Sequence, residues 1–339
     1  MRNNTRLLYT ALLAHIAQLN GVQADQVDKK FSVDPSIQQT LETRMQESSD
    51  FLSRINVIGV PEIKGDKIGL GVGSPIASRT NVANGPRTPR DVSALDEHGY
   101  ECQFTEFDTF LGYSKLDAWA KFPDFQTRVR DAIVQRQALD RIAIGWNGTS
   151  AAAATNQATN PLLQDVNIGW LQQYRTNAAQ RVMDDGKVAG KVQIGTGGDY
   201  ANIDALVYDA IASLLDPWHQ NRTDLIVLMG RGLLHDKYFP LINKDQDAQN
   251  TLATDIIVSQ KRVGGLPAAQ VPYFPDGKLM VTTFDNLSLY WQEGARRRFV
   301  KEEPERNRVT NYESSNDAYV VEDYGLGCVV ENIQPVAEA

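Results

Sequence analysis

One long stretch, residues 56–113, limits what this chain can fold into, because it has the pattern of two strands joined by a tip with little to bury. The first arm opens with an alternating, β-branched run at residues 55–60, and the second alternates from Tyr100 to Phe110. The tip, Gly73 to His98, contains three prolines and few large apolar side chains. Each arm has roughly 15–20 residues and spans about 50 Å at ~3.3 Å per residue. An isolated hairpin of that length is at best marginally stable in water. The stretch therefore predicts an arm whose folded partner is another subunit.

The composition is otherwise that of a folded protein. The chain has 339 residues, enough for about two lobes, and its 42% hydrophobic and 22% charged content is ordinary for globular proteins. A formal net charge of −8 argues against non-specific binding to phosphate backbones, since such binding requires a basic surface. The two cysteines, Cys102 and Cys328, lie far apart in sequence and predict buried free thiols, although a disulfide stays open.

The first 31 residues form a predicted unit of their own. Apolar residues from Leu8 to Leu19 recur at helical spacing and predict an amphipathic helix that ends at Asn20. Polar interruptions argue against a secretory signal, and no segment is long enough to span a bilayer. Residues 1–31 carry a net charge of +2, so the remainder carries −10. Two interpretations stay open: a separable basic segment, and an ordinary helix packed on the core.

Two further helices flank the arm. Ser36 is the predicted N-cap of a helix that places Leu41 and Met45 on one face. The longest predicted helix spans residues 123–145 and ends at Gly145 or Gly148. Its charged face is mixed in sign, which favours a solvated or interface face over a nucleic-acid stripe; the face comprises Arg128, Arg130, Asp131, Arg136, Asp140 and Arg141.

The second half of the chain mixes predicted helices and strands. A small-residue loop at 147–160 precedes a predicted helix over 161–182 that is interrupted or bent near Gly169. Next come a helix over 202–215, a strand over 224–229, a helix over 231–242 and a further element over 251–259. From Lys278 onward short strands dominate, at residues 279–283, 287–291, 298–301, 308–312, 318–324 and 327–331. Because the two types do not alternate regularly, the order predicts an α+β fold.

No pattern that carries catalysis stands out. The glycine-rich turn at residues 195–198 lacks the Lys-Ser/Thr of a P-loop, so an ordinary turn is favoured over phosphate binding. The four histidines stand singly, and no acidic pair is placed for acid–base work. The sequence therefore predicts no catalytic residue, no cofactor and no metal site. The compact basic cluster at residues 296–298 is interpreted as a solvated or subunit-bridging patch, with phosphate contact as the alternative.

Several uninterrupted blocks resemble the major capsid proteins of P2-like tailed bacteriophages. The first block, residues 46–56, looks like the start of the mature body of those proteins. The other blocks are spread over nearly the whole chain, at residues 160–166, 169–172, 236–240, 311–314 and 319–324. The resemblance implies a Hong Kong 97-type phage capsid fold within the α+β class, and it implies that the chain is not an enzyme.

The resemblance also implies a division of the chain. The implied parts are an N-terminal scaffold-like segment, an N-arm, a long β-hairpin extended loop, a peripheral domain with a spine helix, an axial domain, and C-terminal strands that return to the peripheral domain. In that order they occupy residues 1–31, 32–55, 56–113, 114–194 with the spine helix at 123–145, 195–290 and 291–339.

The implied function is that of a major capsid protein, assembled in the bacterial host cytoplasm and located in the virion. Its implied partners are copies of itself in hexamers and pentamers, an internal scaffolding protein, a maturation protease, a portal protein at one vertex, and packaged double-stranded DNA without sequence-specific contact; no membrane is among them. The N-terminal segment is implied to guide assembly and to be removed by cleavage between Phe31 and Ser32. The alternatives are an encapsulin-like compartment shell and a cytoplasmic enzyme without a recognisable motif.

Overall fold

The computed structural model describes residues 1–67, 77, 79–81, 85–87, 99–122, 124–234 and 261–336 of the chain. Its helices are α1 (Asn3–Leu19), α2 (Pro35–Glu47), α3 (Tyr113–Trp119), α4 (Phe125–Asn147), α5 (Trp170–Asn177) and α6 (Ile203–Leu214). Its strands are β1 (Phe31–Ser32), β2 (Asn56–Val60), β3 (Lys64–Gly65), β4 (Tyr100–Glu101), β5 (Gln103–Glu106), β6 (Thr109–Gly112), β7 (Val182–Met183), β8 (Val192–Ile194), β9 (Ile226–Met229), β10 (Arg262–Val263), β11 (Leu266–Gln270), β12 (Leu279–Thr282), β13 (Leu287–Gln292), β14 (Arg297–Glu303), β15 (Arg308–Val321), β16 (Cys328–Val330) and β17 (Ile333–Pro335). This mixture confirms the predicted α+β class.

The long strand β15 organises the first sheet. Along one edge it pairs antiparallel with β6 and β5, and along the other with β14 and β13. β1 extends this sheet beyond β14, and β2 extends it beyond β13 in the parallel sense. Helices α2, α4 and α5 cover the sheet and enclose a group of aromatic rings, where the centroid of Trp146 lies 4.9 Å from that of Trp170 and 5.4 Å from that of Phe51.

A second sheet, with strand order β10-β11-β9-β12-β16-β7, lies between two hydrophobic clusters. Successive residues of β9 enter these clusters alternately: Ile226 and Leu228 join the first, whereas Val227 and Met229 join the second. Helix α6 closes the second cluster with its buried Leu206. An uninterrupted apolar run suits β9, because the strand is covered on both faces.

The arm is anchored in its own subunit at its base. β2 pairs with β13, while β5 and β6 pair with β15, so these parts of both arms are strands of the first sheet. Among the described residues, the two arms pair with each other at β3 and β4, with Lys64 opposite Glu101. The predicted partner in another subunit is therefore not needed for the base of the arm. The tip, Gly73 to His98, lies almost entirely outside the described residues.

The helix bounds differ from the predictions in three places. Asp34, rather than Ser36, caps α2: its carboxylate accepts a hydrogen bond from the Ser36 amide at 2.9 Å. The predicted long helix begins at Phe125 and ends at Asn147, with Gly148 as its C-cap. The predicted helix over 161–182 is helical only at α5 and at a short 3-10 turn, since Leu163 adopts a φ of 61° that a helix does not allow.

The C-terminal strands divide between the two sheets. β14 and β15 belong to the first sheet, whereas β16 pairs with β12 in the second and β17 pairs with β8. The predicted strands over 308–312 and 318–324 are a single strand, β15. The helix predicted over 202–215 is confirmed as α6, and residues 231–234 are helical. The remainder of the helix predicted over 231–242, and the element over 251–259, lie outside the described residues.

Both cysteines are as predicted. Cys102 and Cys328 are free and buried, and burial raises the pKa of each thiol to about 12. Neither thiol is therefore activated for nucleophilic chemistry at neutral pH.

Candidate processing site and its support

The predicted cleavage site lies in an edge strand of the first sheet. Phe31 pairs with Arg298 and Ser32 with Arg297, so the peptide bond between Phe31 and Ser32 is part of an extended ladder. The Arg297 guanidinium donates to the Ser32 hydroxyl at 2.7 Å, and the Val33 amide donates to the Arg296 carbonyl at 3.0 Å. Ser32 is exposed and Phe31 is half-buried. The junction therefore has the extended form that proteases bind, but one of its edges is already paired.

The segment before this junction packs on the core, which is one of the two interpretations left open by the sequence. Tyr9, Ile16 and Ala17 of α1 are buried, together with Val27 in the turn that follows. They contact apolar residues of α3, α4, β14 and β15, namely Leu116, Val129, Val300 and Val309. The predicted stripe is confirmed at Leu8, Leu12 and Ile16, whereas Leu19 at the end of the helix is 45% exposed.

Polar contacts hold the start of α1 to the strand β14. The Arg6 guanidinium donates to both oxygens of Glu302, at 2.9 and 3.2 Å, and the Tyr113 hydroxyl donates to the same carboxylate at 2.7 Å. Burial opposes the charged form of Glu302, but these hydrogen bonds outweigh it and lower the pKa of the carboxyl. Burial and the bond to Glu302 raise the pKa of Tyr113 to about 12.

A buried ionic network lies behind the junction and connects α2, α4 and β15. Arg141 of α4 is 1% exposed and donates to both oxygens of Asp317 at 3.0 Å, and to Glu42 of α2. The prediction that Arg141 belongs to a solvated or interface face is therefore wrong. Arg141 lies one turn beyond Gln137 on the inward side of the helix, so its phase on α4 places it inside the subunit.

One arginine of the basic cluster at residues 296–298 is also internal. Arg296 is 1% exposed and donates to Glu42 at 2.9 Å, to Glu313 at 2.9 Å and to the Gln137 amide oxygen at 2.7 Å. Arg298 donates to the Asn311 side chain at 2.8 Å. The prediction of a solvated or subunit-bridging patch is therefore wrong for Arg296, because these donors are directed at carboxylates of the same chain.

Opposite charges balance within this network. Three carboxylates, Glu42, Glu313 and Asp317, face three guanidinium groups, Arg141, Arg296 and Arg298. Burial disfavours ionised Glu313, but attraction to Arg296 and Arg298 prevails and lowers the pKa of this carboxyl to about 2. For Asp317, burial prevails over its attraction to Arg141, and the pKa of the carboxyl is raised. The network fixes the position of the helix α2, which follows the junction directly.

The structure gives no catalytic arrangement to the described residues of the glycine-rich turn or to the described histidines. In the turn at residues 195–198, the adjacent Asp199 carboxylate accepts hydrogen bonds from the amides of Lys187 and Gln193 at 2.7 Å. That carboxylate would repel a phosphate. His219 contacts Asp323 at 3.0 Å and His15 is exposed, while His98 and His235 lie outside the described residues.

Within the described ranges, no group of three or more histidine, cysteine or acidic side chains is placed to hold a metal ion. Among the helices that the structure describes, none combines the length and the apolar character of a membrane span.

Comparison with known proteins identifies the family. The model of the family described as phage major capsid protein, P2 family, matches residues 8–333. The capsid protein of Escherichia phage P2 is 50% identical over 341 residues, which cover 98% of this chain and 96% of that protein. In the satellite phage P4 procapsid, solved with the size determination (Sid) protein, a chain is 47% identical with a TM-score of 0.82, covering 99% of both chains. The capsid of an empty GTA particle shares the fold alone, at 16% identity and a TM-score of 0.52 over 85% of this chain and 90% of that one. The chain therefore belongs to the P2 family of phage major capsid proteins, which are structural components of the phage capsid.

Proposed function

We propose that this major capsid protein assembles into hexamers and pentamers, which form an icosahedral head around double-stranded DNA in the host cytoplasm. The observation that carries the proposal is the similarity along the entire chain to a subunit of a procapsid, at 47% identity and a TM-score of 0.82. Weak contacts suffice in such a shell, because closed symmetry repeats each of them many times. The packaged DNA needs no sequence-specific contact with a body whose net charge is negative.

The domain division is part of this proposal. We assign an N-arm to residues 32–55, an extended loop to 56–113, a peripheral domain with the spine helix to 114–194, and an axial domain to 195–290, with residues 291–339 returning to the peripheral domain. The long helix α4 beneath the first sheet supports the spine assignment. The second cluster, which α6 closes, supports a separate axial part, to which the pairing of β16 with β12 adds a C-terminal strand.

The extended loop is proposed to lie over a neighbouring subunit. Its base is fixed by the first sheet, so the arm leaves the subunit from a rigid support. Large apolar side chains are exposed on this base, and such side chains are typical of interfaces; they are Ile58, Ile63, Phe104 and Phe110.

The segment 1–31 is proposed to guide assembly together with an internal scaffolding protein, and to be removed by a maturation protease that cuts between Phe31 and Ser32. The position of this bond in an extended strand at the edge of the first sheet supports the assignment. Mass spectrometry of subunits from mature, DNA-filled heads is expected to show chains that begin at Ser32. Subunits that still carry residues 1–31 through an intact peptide bond would contradict it.

The assembly itself is tested by electron microscopy of the protein expressed with and without its scaffolding protein, protease and portal protein. Closed shells with a portal at one vertex are expected when the capsid protein is expressed together with the other three proteins. A small oligomer that stays soluble under the same conditions would count against the proposal.

A further inference from the structure

We infer that the body of the subunit contains a docking groove for residues 1–31, and that this groove retains the segment as a bound peptide after the chain is cut. The biological setting rests on the proposed cleavage between Phe31 and Ser32. The groove rests only on contacts within the subunit. Its occupant is the chain's own N-terminal peptide, which becomes a separate partner once the bond is broken.

The floor of the groove is apolar and comes from four elements. Leu116 of α3, Val129 of α4, Val300 of β14 and Val309 of β15 are each buried beneath the segment. The cavity that remains between α1 and this floor has a volume of about 40 Å³. A gap of that size has room for only a few water molecules.

The segment buries side chains along most of its length. Tyr9 near the middle of α1, Ile16 and Ala17 near its end, and Val27 in the following turn are each at most 7% exposed. Fully buried apolar side chains contribute the dominant favourable term in protein association. Because the four positions span 19 residues of the segment, from residue 9 to residue 27, the docking does not depend on one end.

Polar contacts upstream of the cut orient the segment in the groove. Arg6 binds Glu302 through both carboxylate oxygens, and the backbone amide of Arg2 donates to the Asp117 carboxylate at 2.9 Å. The Val300 amide donates to the Val27 carbonyl at 3.1 Å. A bidentate guanidinium–carboxylate pair fixes the relative orientation of the two side chains and also contributes binding energy. None of these contacts involves an atom of the bond between Phe31 and Ser32.

Cleavage removes little of this docking. Close to the cut, the Asp34 amide donates a hydrogen bond to the Asn20 side chain at 3.1 Å, which also joins the segment to the N-arm. The apolar groove and the Arg6–Glu302 pair are unchanged when the covalent link is lost. What changes is the effective concentration, because the segment is no longer tethered. The segment is therefore expected to stay bound at micromolar subunit concentrations and to leave only on strong dilution or denaturation.

The test uses the full chain with the recognition sequence of a site-specific endoprotease inserted between Phe31 and Ser32. After complete cutting, gel filtration separates subunits from free peptide, and mass spectrometry quantifies residues 1–31 in each fraction. Near-stoichiometric elution of the peptide with the body is expected. Elution of the peptide as a free species at micromolar concentration would overturn the inference. Because the added protease makes the cut, a failure of natural processing in mature heads would contradict the proposed function alone.

Two variants of α1 make the test specific. Ile16→Ser removes a side chain that is 7% exposed in the groove, whereas Leu7→Ser changes one that is 70% exposed on the same helix. Ile16→Ser is expected to raise the rate of peptide release by roughly tenfold or more, because a buried apolar side chain is lost. Leu7→Ser is expected to leave the release rate unchanged. Equal release rates for the two variants would show that the groove does not hold the segment.

Discussion

At the scale of single residues, two buried guanidinium groups define how the N-arm is held. Arg141 and Arg296 both bind Glu42, so that α2 is attached to α4 and to the start of β14 through one carboxylate. A buried ion pair adds little net stability over an apolar equivalent, but removing one partner leaves an uncompensated charge. The network therefore specifies the position of α2 more than it adds to the stability of the subunit.

The first prediction compares two arginines of α4. Arg141→Met is expected to lower the free energy of unfolding by about 3–5 kcal/mol, because Glu42 and Asp317 lose a shared partner in the interior. Arg136→Met is the matched control: Arg136 pairs with Asp140 at the surface, where such pairs contribute roughly 1 kcal/mol or less. Urea unfolding of the subunits, followed by tryptophan fluorescence, measures both. Equal effects of the two substitutions would contradict the structural role of the network.

The second prediction concerns acid. The pKa of Glu313 is lowered from its ordinary 4.5 to about 2, so its stabilising contribution is complete above pH 4.5 and is lost as the pH falls towards 2. The expected loss over this window is roughly 3 kcal/mol. The contribution of Asp317 to stability depends on pH in the opposite direction. Because the pKa of Asp317 is raised, this contribution is present at low pH and is lost as the pH rises. In Glu313→Gln, unfolding midpoints measured from pH 5 to pH 2.5 should therefore depend less on pH than in the parent chain, and an unchanged slope would contradict the assignment.

At the scale of elements, the crossing of α4 and α5 depends on close approach. Gly145 lies within α4, and a Cβ atom there would come within 2.3 Å of the Trp170 ring. The ring occupies the space that a side chain would need, so the close approach of α4 and α5 requires glycine at this position. The indole nitrogen of Trp170 also donates to the Ser288 carbonyl at 3.0 Å, so the ring cannot move aside without breaking a buried hydrogen bond.

The third prediction follows from this contact. Gly145→Ala is expected to destabilise the subunit by about 1–3 kcal/mol or more, because overpacking forces the ring or the helix to shift. Gly112→Ala is the control, since a Cβ atom at that position meets nothing within 4 Å. Thermal unfolding of the two variants distinguishes them. A melting temperature for Gly145→Ala equal to that of the control would mean that the helices do not cross as described.

The sequence predicts the positions of helices and strands better than it predicts which of their side chains are buried. The spacing of α4 located the helix within two residues at each end, because periodicity is a local signal. β15 was divided into two predicted strands because its middle, from Asn311 to Asp317, is polar and resembles a turn. Within this middle, Glu313 and Asp317 are buried against the guanidinium groups of Arg296 and Arg141, which lie outside the strand, and local patterns do not contain such pairing. The sequence also missed the inward position of Arg141, because Gln137, one turn before it, is polar and gives no local sign of burial.

The processing site was available from the sequence only through family resemblance. Lys29 to Val33 contains no residue pattern that identifies a cleavable bond by physical chemistry alone. The structure adds that Phe31 and Ser32 lie in a paired strand, a feature that depends on β14, which lies more than 260 residues further along the chain. The assignment of this bond as the cleavage site stays a prediction.

At the scale of the whole molecule, the arm is the feature that we propose to join one subunit to the next. Its base consists of strands of the first sheet, which packs on the described core. Subunit stability and shell closure are therefore separable properties. Changes in the network around Arg141 affect the first, whereas changes in the tip are expected to affect the second.

The measurement that tests this account most directly is electron microscopy of assemblies formed by a chain whose tip is shortened between Gly73 and His98. The matched control deletes residues 153–155 from the exposed loop that follows α4. Both variants are expected to give soluble subunits that melt at the parent temperature, because both retain every residue of the base of the arm and of the first hydrophobic cluster. The loop variant should form closed shells and the tip variant open sheets or unassembled subunits. Closed shells formed normally by the tip variant would contradict the central claim that the arm joins neighbouring subunits.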